Sequence, residues 1–270
     1  MIRFPNAKIN LGLHVISKRP DGFHELETVF YPVKWCDALE IVEAKNSDDV
    51  FTLEIQGADF GHVRENICYK AYELIVTDHT LPALNCYLQK VIPHGAGLGG
   101  GSADAAFTLK MIDELFTLKI TNDDLLKYAS QLGSDCSFFI YNKPMMASGR
   151  GEILQPCNVD IEKYFLVIVM PDVKVNTNEA YQLIAPATPD IPLSAIIQLP
   201  VNEWKYALVN DFEKPVFEKY PAIKEIKTQL YKSGAVYASM SGSGSAVFGL
   251  FEKPVDVKNT FSDCIVWSGN

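Results

Sequence analysis

Five glycines within seven positions leave few folds open to this chain. They lie in the stretch Pro93-His94-Gly95-Ala96-Gly97-Leu98-Gly99-Gly100-Gly101-Ser102-Ala103-Asp104. Before it, Leu84, Cys86 and Leu88 alternate with Asn85, Tyr87 and Gln89, the period of a strand. After it, Ala105, Leu109, Ile112 and Phe116 recur at helical spacing, with Lys110, Asp113 and Glu114 on the other side. Glycine lets consecutive N–H groups converge on an anion's oxygens, and the helix that follows adds its positive end. Ser102 or a neighbouring glycine is placed to cap that helix. A turn that only reverses the chain needs two glycines, so the loop reads as a phosphate cradle.

Spacing separates this cradle from two familiar ones. Gly95, Gly97 and Gly100 satisfy G-x-G-x-x-G, but a dinucleotide fold wants an acidic residue about 20 positions on, at the end of the next strand. Asp113 and Glu114 instead sit inside the helix. Gly95 and Gly100 also fit the spacing of G-x-x-x-x-G-K-[ST], yet Gly101 stands where the lysine belongs.

At 270 residues and 48% apolar content, the chain has material for one large or two ordinary domains. Its 24 basic and 33 acidic residues give a net charge of −9, which argues against a nucleic-acid or anionic-membrane surface. Any phosphate is therefore held locally, by backbone and a few cations. The cysteines (Cys36, Cys68, Cys86, Cys136, Cys157, Cys264) show no C-x-x-C pair and no histidine cluster, which points away from zinc and disulfides and towards a reducing cytosol. The longest apolar run, residues 165–170, falls short of the ~20 residues of a membrane span. Strand-like sequence begins by Ile2, with no signal segment. The expectation is a soluble cytoplasmic protein.

From residue 8 to 14, Ile9, Leu11 and Leu13 alternate with Lys8, Asn10, Gly12 and His14, which predicts a strand carrying Lys8 and Asn10 side by side on a half-exposed face. Arg19-Pro20-Asp21-Gly22 is a tight turn that delivers Phe23 and His24 to the mouth of the next strand. Strands over 25–33, 39–42 and 51–55, with a polar turn at 45–49, predict an antiparallel system. Asn66 caps a helix, and another starts at Thr121 and stops at Gly133. Asp135 then reads by itself as a first-turn aspartate, partly desolvated before Phe138-Phe139-Ile140. Residues 156–160 suit a boundary. Beyond them come a strand at 165–170, a helix from Pro221, strands at 235–240 and 246–251, a short helix at 255–261 and a strand at 264–267. This is the split βαβ, ferredoxin-like order. The predicted organisation is α+β with two domains, 1–158 and 159–270.

Three motifs in this order resemble the superfamily of galactokinase, homoserine kinase, mevalonate kinase and phosphomevalonate kinase. They are Ala7-Lys8-Ile9-Asn10-Leu11, the loop over 93–103, and Met240-Ser241-Gly242-Ser243-Gly244. Pro5-Asn6-Ala7 ahead of the first motif, Arg19-Pro20-Asp21-Gly22-Phe23-His24-Glu25-Leu26-Glu27-Thr28, Glu65-Asn66-Ile67 with Lys70-Ala71, Gly133-Ser134-Asp135-Cys136-Ser137-Phe138-Phe139 and Gly149-Arg150-Gly151-Glu152 narrow the resemblance. They are similar to the branch that phosphorylates the 2-hydroxyl of a cytidine-diphosphate-linked methylerythritol in non-mevalonate isoprenoid synthesis. That branch usually has tyrosine where Phe23 stands, and valine or isoleucine where Cys136 stands.

The resemblance implies an N-terminal domain like domain 2 of ribosomal protein S5, which binds ATP, and a ferredoxin-like C-terminal domain for substrate. It implies Lys8 and Asp135 as the catalytic pair and residues 93–103 (Pro93, His94, Gly95, Ala96, Gly97, Leu98, Gly99, Gly100, Gly101, Ser102, Ala103) as the ATP loop. Asn10, Phe23, His24, Tyr181, Gly242 and Ser243 are the implied substrate contacts. Mg2+ is the implied metal, with its ligands unassigned. The implied partners are ATP and the cytidyl substrate, with no nucleic acid and no membrane; a monomer and a homodimer both stay open. Another kinase of the superfamily, such as homoserine or mevalonate kinase, is the runner-up, against which Asp21-Gly22-Phe23-His24 argues. A non-catalytic nucleotide-binding regulator is the alternative from another class, against which the presence of both Lys8 and Asp135 argues.

Overall fold

In chain order the strands are β1 (Ile2–Arg3), β2 (Asn6–Lys18), β3 (His24–Cys36), β4 (Ala38–Glu43), β5 (Phe51–Gln56), β6 (Leu84–Gln89), β7 (Met145–Gly149), β8 (Ile153–Pro156), β9 (Phe165–Pro171), β10 (Tyr237–Met240), β11 (Val247–Phe251) and β12 (Cys264–Gly269). The helices are α1 (Ile67–Val76), α2 (Gly100–Phe116), α3 (Asn122–Leu132), α4 (Cys136–Tyr141), α5 (Thr177–Gln182), α6 (Leu193–Ile196), α7 (Val201–Ala207), α8 (Glu213–Lys219) and α9 (Pro221–Lys232). The structure, a computed structural model, describes residues 1–45, 49–57 and 62–269. Part of the predicted turn at 45–49, residues 46–48, lies outside the described residues. Among the described residues no helix is long and apolar enough to cross a membrane.

Contacts divide the chain into two compact units. The first comprises Met1–Ala7, Trp35–His94 and Gly99–Lys143; the second comprises Lys8–Lys34, Gly95–Leu98 and Pro144–Asn270. This grouping differs from a linear cut at 158. The physical reason is burial: Leu13, Val15 and Leu26 from β2 and β3 share one apolar cluster with Val167, Val169, Ile223, Ile226 and Leu230.

In the first unit the sheet order is β1-β4-β6-β5. Period-two alternation buries Leu39, Ile41, Cys86 and Leu88, while Tyr87 stays exposed. Helices α1 to α4 pack against one another, and α2 lies against β4. The Asn66 carboxamide accepts the Cys68 N–H at the start of α1 (2.8 Å), and Thr121 accepts the Asp124 N–H at the start of α3 (3.2 Å), as the cap pattern predicts. One expectation fails here. β5 runs parallel to β6, with Phe51 opposite Leu84, because the connection between them carries α1 and returns the chain in the same direction.

In the second unit one sheet has the order β2-β3-β7-β8 and the other β10-β11-β9-β12. Taking β9 to β12 as strands one to four, the latter order is 4-1-3-2 with antiparallel neighbours, the ferredoxin-like arrangement. The helix predicted at 255–261 is a pair of turns instead, in which Thr260 and Phe261 both donate to the Val257 carbonyl. Val257 and Phe261 are buried, so two apolar anchors hold the segment without a helix. The half-exposed face predicted for β2 is also corrected, since Lys8, Asn10 and His14 are 3%, 2% and 5% exposed.

Candidate active site

Lys8 and Asn10 in the polar row of β2 are joined by a chain of hydrogen bonds within the second unit. Lys8 Nζ donates to Asn10 Oδ1 (2.7 Å), Asn10 Nδ2 donates to Thr28 Oγ1 on β3 (2.9 Å), and the Thr28 hydroxyl donates to the Gly12 carbonyl (2.6 Å). Thr28 has one proton, which goes to Gly12, so it must accept from Asn10. That fixes the amide with its oxygen towards the ammonium. Lys8 Nζ also stands 5.0 Å from the Phe30 ring centroid.

The first half of the glycine loop joins this row. Lys8 N donates to the Leu98 carbonyl (2.9 Å), Ala246 N donates to the Ala96 carbonyl (3.1 Å), and the Ser241 hydroxyl donates to the Gly97 carbonyl (2.8 Å). At Gly97, with φ +77°, a Cβ would stand 2.0 Å from the Ser241 carbonyl oxygen, so no other residue fits. Gly242 packs beside Gly97 Cα and Asn10 Oδ1, and Asn210 Nδ2 donates to the carbonyls of Met240 and Gly242, both at 2.8 Å. Thr28, Ser241 and Asn210 were not among the predicted site residues. Thr28 and Ser241 lay within the quoted motifs, whereas Asn210 sits in no local pattern that marks it.

A second cluster in the same unit is aromatic. His24 stacks on Tyr181, with ring centroids 4.9 Å apart and planes 14° apart, and Tyr181 meets the edge of Phe212 (4.8 Å, 83°). Burial, reinforced by the charge of Lys18, lowers the His24 pKa, so its imidazole is neutral near pH 7. Phe23 is 51% exposed, and the Arg150 guanidinium lies 4.7 Å from its ring centroid. The Ser243 hydroxyl hydrogen-bonds that of Thr177 (2.9 Å), at the start of α5. Of the predicted substrate contacts, the structure thus brings together Asn10 with Gly242 and His24 with Tyr181.

In the first unit, Gly99 occupies the cap position of α2 with φ 71°. Ser102 lies inside the first turn and is not the cap. A glycine cap has no side-chain acceptor, so no cap side chain covers the first-turn N–H groups. Pro93 is half-buried, His94 exposed and Ala103 buried. The Ser102 hydroxyl hydrogen-bonds the Cys136 thiol, which burial pushes up to about 12. Asp135, half-buried, stands at the cap position of α4, and its side chain makes no capping hydrogen bond there. Lys8 belongs to the second unit and Asp135 to the first.

Among the described residues no group of three or more His, Cys, Asp or Glu side chains is arranged to hold a metal ion. Magnesium takes only one or two protein oxygens when phosphates supply the rest. The Ser102 hydroxyl, in the first turn of α2, is a hard oxygen donor of the kind that fits.

A ferredoxin-like sheet, a glycine loop running into a helix and a buried lysine row define a small-molecule kinase of the GHMP class. The family models agree: GHMP kinases N terminal domain matches residues 66–143, and GHMP kinases C terminal matches residues 199–263. A 4-diphosphocytidyl-2-C-methyl-D-erythritol kinase of Parabacteroides distasonis is 51% identical, covering 100% of this chain and 99% of its own. One of Bacteroides fragilis is 54% identical over 93% and 92%. A crystal structure of 4-(cytidine 5'-diphospho)-2C-methyl-D-erythritol kinase superposes with a TM-score of 0.85 at 33% identity, covering 100% of this chain and 98% of that one. The chain belongs to the GHMP kinases, in their 4-diphosphocytidyl-2-C-methyl-D-erythritol kinase family.

Proposed function

We propose that this chain transfers the γ-phosphoryl group of ATP to the 2-hydroxyl of 4-diphosphocytidyl-2-C-methyl-D-erythritol, giving the 2-phosphate and ADP in the non-mevalonate isoprenoid pathway. The observation that carries this is 51% identity along the whole chain to a kinase of that name. Phosphoryl transfer asks for positioning and neutralised charge more than for covalent help. Within the loop over 93–103, backbone N–H groups between His94 and Ser102, the start of α2 included, bind the polyphosphate. Asp135 takes the hydroxyl proton as general base. Lys8, locked by Asn10 and Thr28, orients the hydroxyl. Ser102 would stand beside a magnesium ion, which would supply further neutralisation of the transferring group.

The cytosine is read by the neutral His24, which presents one donor and one acceptor, with Tyr181 and Phe23 supplying apolar faces. Phe23 keeps a ring and lacks the phenolic hydroxyl usual at this position, so one polar contact to substrate is missing. Gly242, Ser243 and Asn10 hold the erythritol end. We assign ATP binding and catalysis to residues 1–158, which also lend Asn10, Phe23 and His24 to the substrate, and the remaining substrate binding to 159–270, in a cytoplasmic enzyme. ADP release is measured with the cytidyl substrate, homoserine and mevalonate in parallel. Release with the first alone is expected, and Asp135→Asn lowers it on the order of 10²-fold. Release with homoserine or mevalonate instead, or undiminished turnover in Asp135→Asn, would refute the assignment.

A further inference from the structure

Three ionisable side chains lie buried in the first unit, below the helix that closes the glycine loop. Lys90, just past the end of β6, is 7% exposed; Asp37, just ahead of β4, is 1% exposed; Asp104, in the second turn of α2, is 2% exposed. Lys90 Nζ donates to Asp37 Oδ2 and, at 2.6 Å, to Asp104 Oδ2. Asp37 Oδ1 in turn accepts the backbone N–H groups of Val91 and Ile92. Three segments distant in sequence are joined through one ammonium group.

The joint holds the two ends of the loop. Val91 and Ile92 are the residues by which the chain leaves β6 for the loop, and Asp104 sits on the helix into which the loop delivers it. Gly100, the first residue of that helix, seats directly on the joint, since a Cβ there would stand 2.9 Å from Ile92 Cγ2 and 3.3 Å from Lys90 Nζ. Such a cluster is a poor way to gain stability, because desolvating charges usually costs as much as their attraction returns. Two carboxylates face one ammonium, and Asp104 Oδ1 is buried without a hydrogen-bond partner. Burial pushes the Asp104 carboxyl up to about 7 against the opposing pull of Lys90. What the cluster offers is direction: each bond is charge-assisted and short, and each is tied to backbone at one end of the loop.

We propose that Asp37, Lys90 and Asp104 are positioning residues for nucleotide binding, clamping the entrance of the glycine loop to the first turn of α2 so that its N–H donors are preset for phosphate. This deepens the ATP-loop reading and rests on it. The probe is ADP, which binds without turnover, titrated calorimetrically into the whole chain.

Lys90→Met, which removes the clamp and leaves two carboxylates facing each other, is expected to raise the ADP Kd at least tenfold. It should raise the KM for ATP in step while the KM for the cytidyl substrate stays within twofold. Asp104→Asn keeps the shape and relieves the excess buried charge, so it answers the same question if Lys90→Met does not fold. It exchanges an ion pair for a bond from the ammonium to a neutral amide oxygen, and a three- to tenfold rise in ADP Kd is expected, again without movement of the cytidyl KM. A folded Asp104→Asn that binds ADP as wild type does would overturn the inference. So would a parallel rise of both KM values, which marks general loosening. Wild-type protein that binds no adenine nucleotide would refute the ATP-loop reading itself, a result distinct from either.

Discussion

Replacing Thr28 by valine keeps the shape of a side chain that is 1% exposed and removes only its hydroxyl. Two hydrogen bonds go with it, one accepted from Asn10 Nδ2 and one donated to the Gly12 carbonyl. Leaving a buried polar group without its partner costs about 1–3 kcal/mol, so the pair is expected to cost ~2–4 kcal/mol after the small gain from the extra methyl. Once Asn10 Nδ2 has no acceptor, the amide is held from its oxygen side alone, by the Lys8 ammonium and, at 3.4 Å, the Ser241 hydroxyl. The oxygen that holds Lys8 at 2.7 Å is then less firmly fixed. Turnover at saturating substrates should fall about tenfold or more, the equivalent of ~1.4 kcal/mol in the barrier. Thr28→Ser, which restores the hydroxyl and loses one methyl, should recover turnover and cost about 1 kcal/mol of stability. Urea unfolding followed by circular dichroism reads the first quantity and ADP release the second. If Thr28→Val unfolds within ~0.5 kcal/mol of wild type and turns over within twofold, or if serine is as damaging as valine, the hydrogen-bonded row does not position Lys8.

Two further outcomes follow from local geometry. Gly97→Ala places a methyl 2.0 Å from the Ser241 carbonyl oxygen in a backbone with φ +77°, a conformation that alone costs about 1–2 kcal/mol for a residue with a Cβ. ADP affinity should drop at least tenfold by calorimetry in a chain that still shows native circular dichroism, and unchanged affinity would show that the loop tolerates displacement there. For His24, burial and Lys18 lower the folded pKa below the usual 6.5, so in the window just under 6.5 the unfolded chain holds the extra proton and the folded one does not. The contribution of His24 to stability is therefore present above pH 6.5 and falls as pH drops through that window. The KM for the cytidyl substrate should stay level from pH 8 to 6.5 and rise only below, and a rise centred at or above 6.5 would refute a neutral, base-reading imidazole.

The elements that sequence reading placed best are those whose chemistry is local. The cap residues Asn66 and Thr121, the turn closed by Gly22 donating to the Arg19 carbonyl, and the break after α3 at Gly133 each depend on residues within a few positions of one another. The ferredoxin-like strand order followed from the succession of patterns alone. The face of β2 carrying Lys8 and Asn10 was misread as half-exposed, because alternation reports which side chains share a face and not what covers it. The short helix expected at 255–261 failed for a related reason: apolar spacing there serves two anchors, Val257 and Phe261, which burial satisfies with turns.

By itself, the sequence determined that the chain would carry a glycine cradle running into a helix, since only residues without a Cβ tolerate the backbone there. It also carried the full set of motifs that mark the kinase class. The tertiary structure alone decided the partners: Thr28 orients Asn10, Ser241 closes on Gly97, Tyr181 stacks on His24, and Lys90 joins Asp37 to Asp104. Each of these contacts joins residues that no periodicity relates. Their side chains meet because separate strands and helices are packed together, and a buried polar group must find its partner wherever that packing brings one.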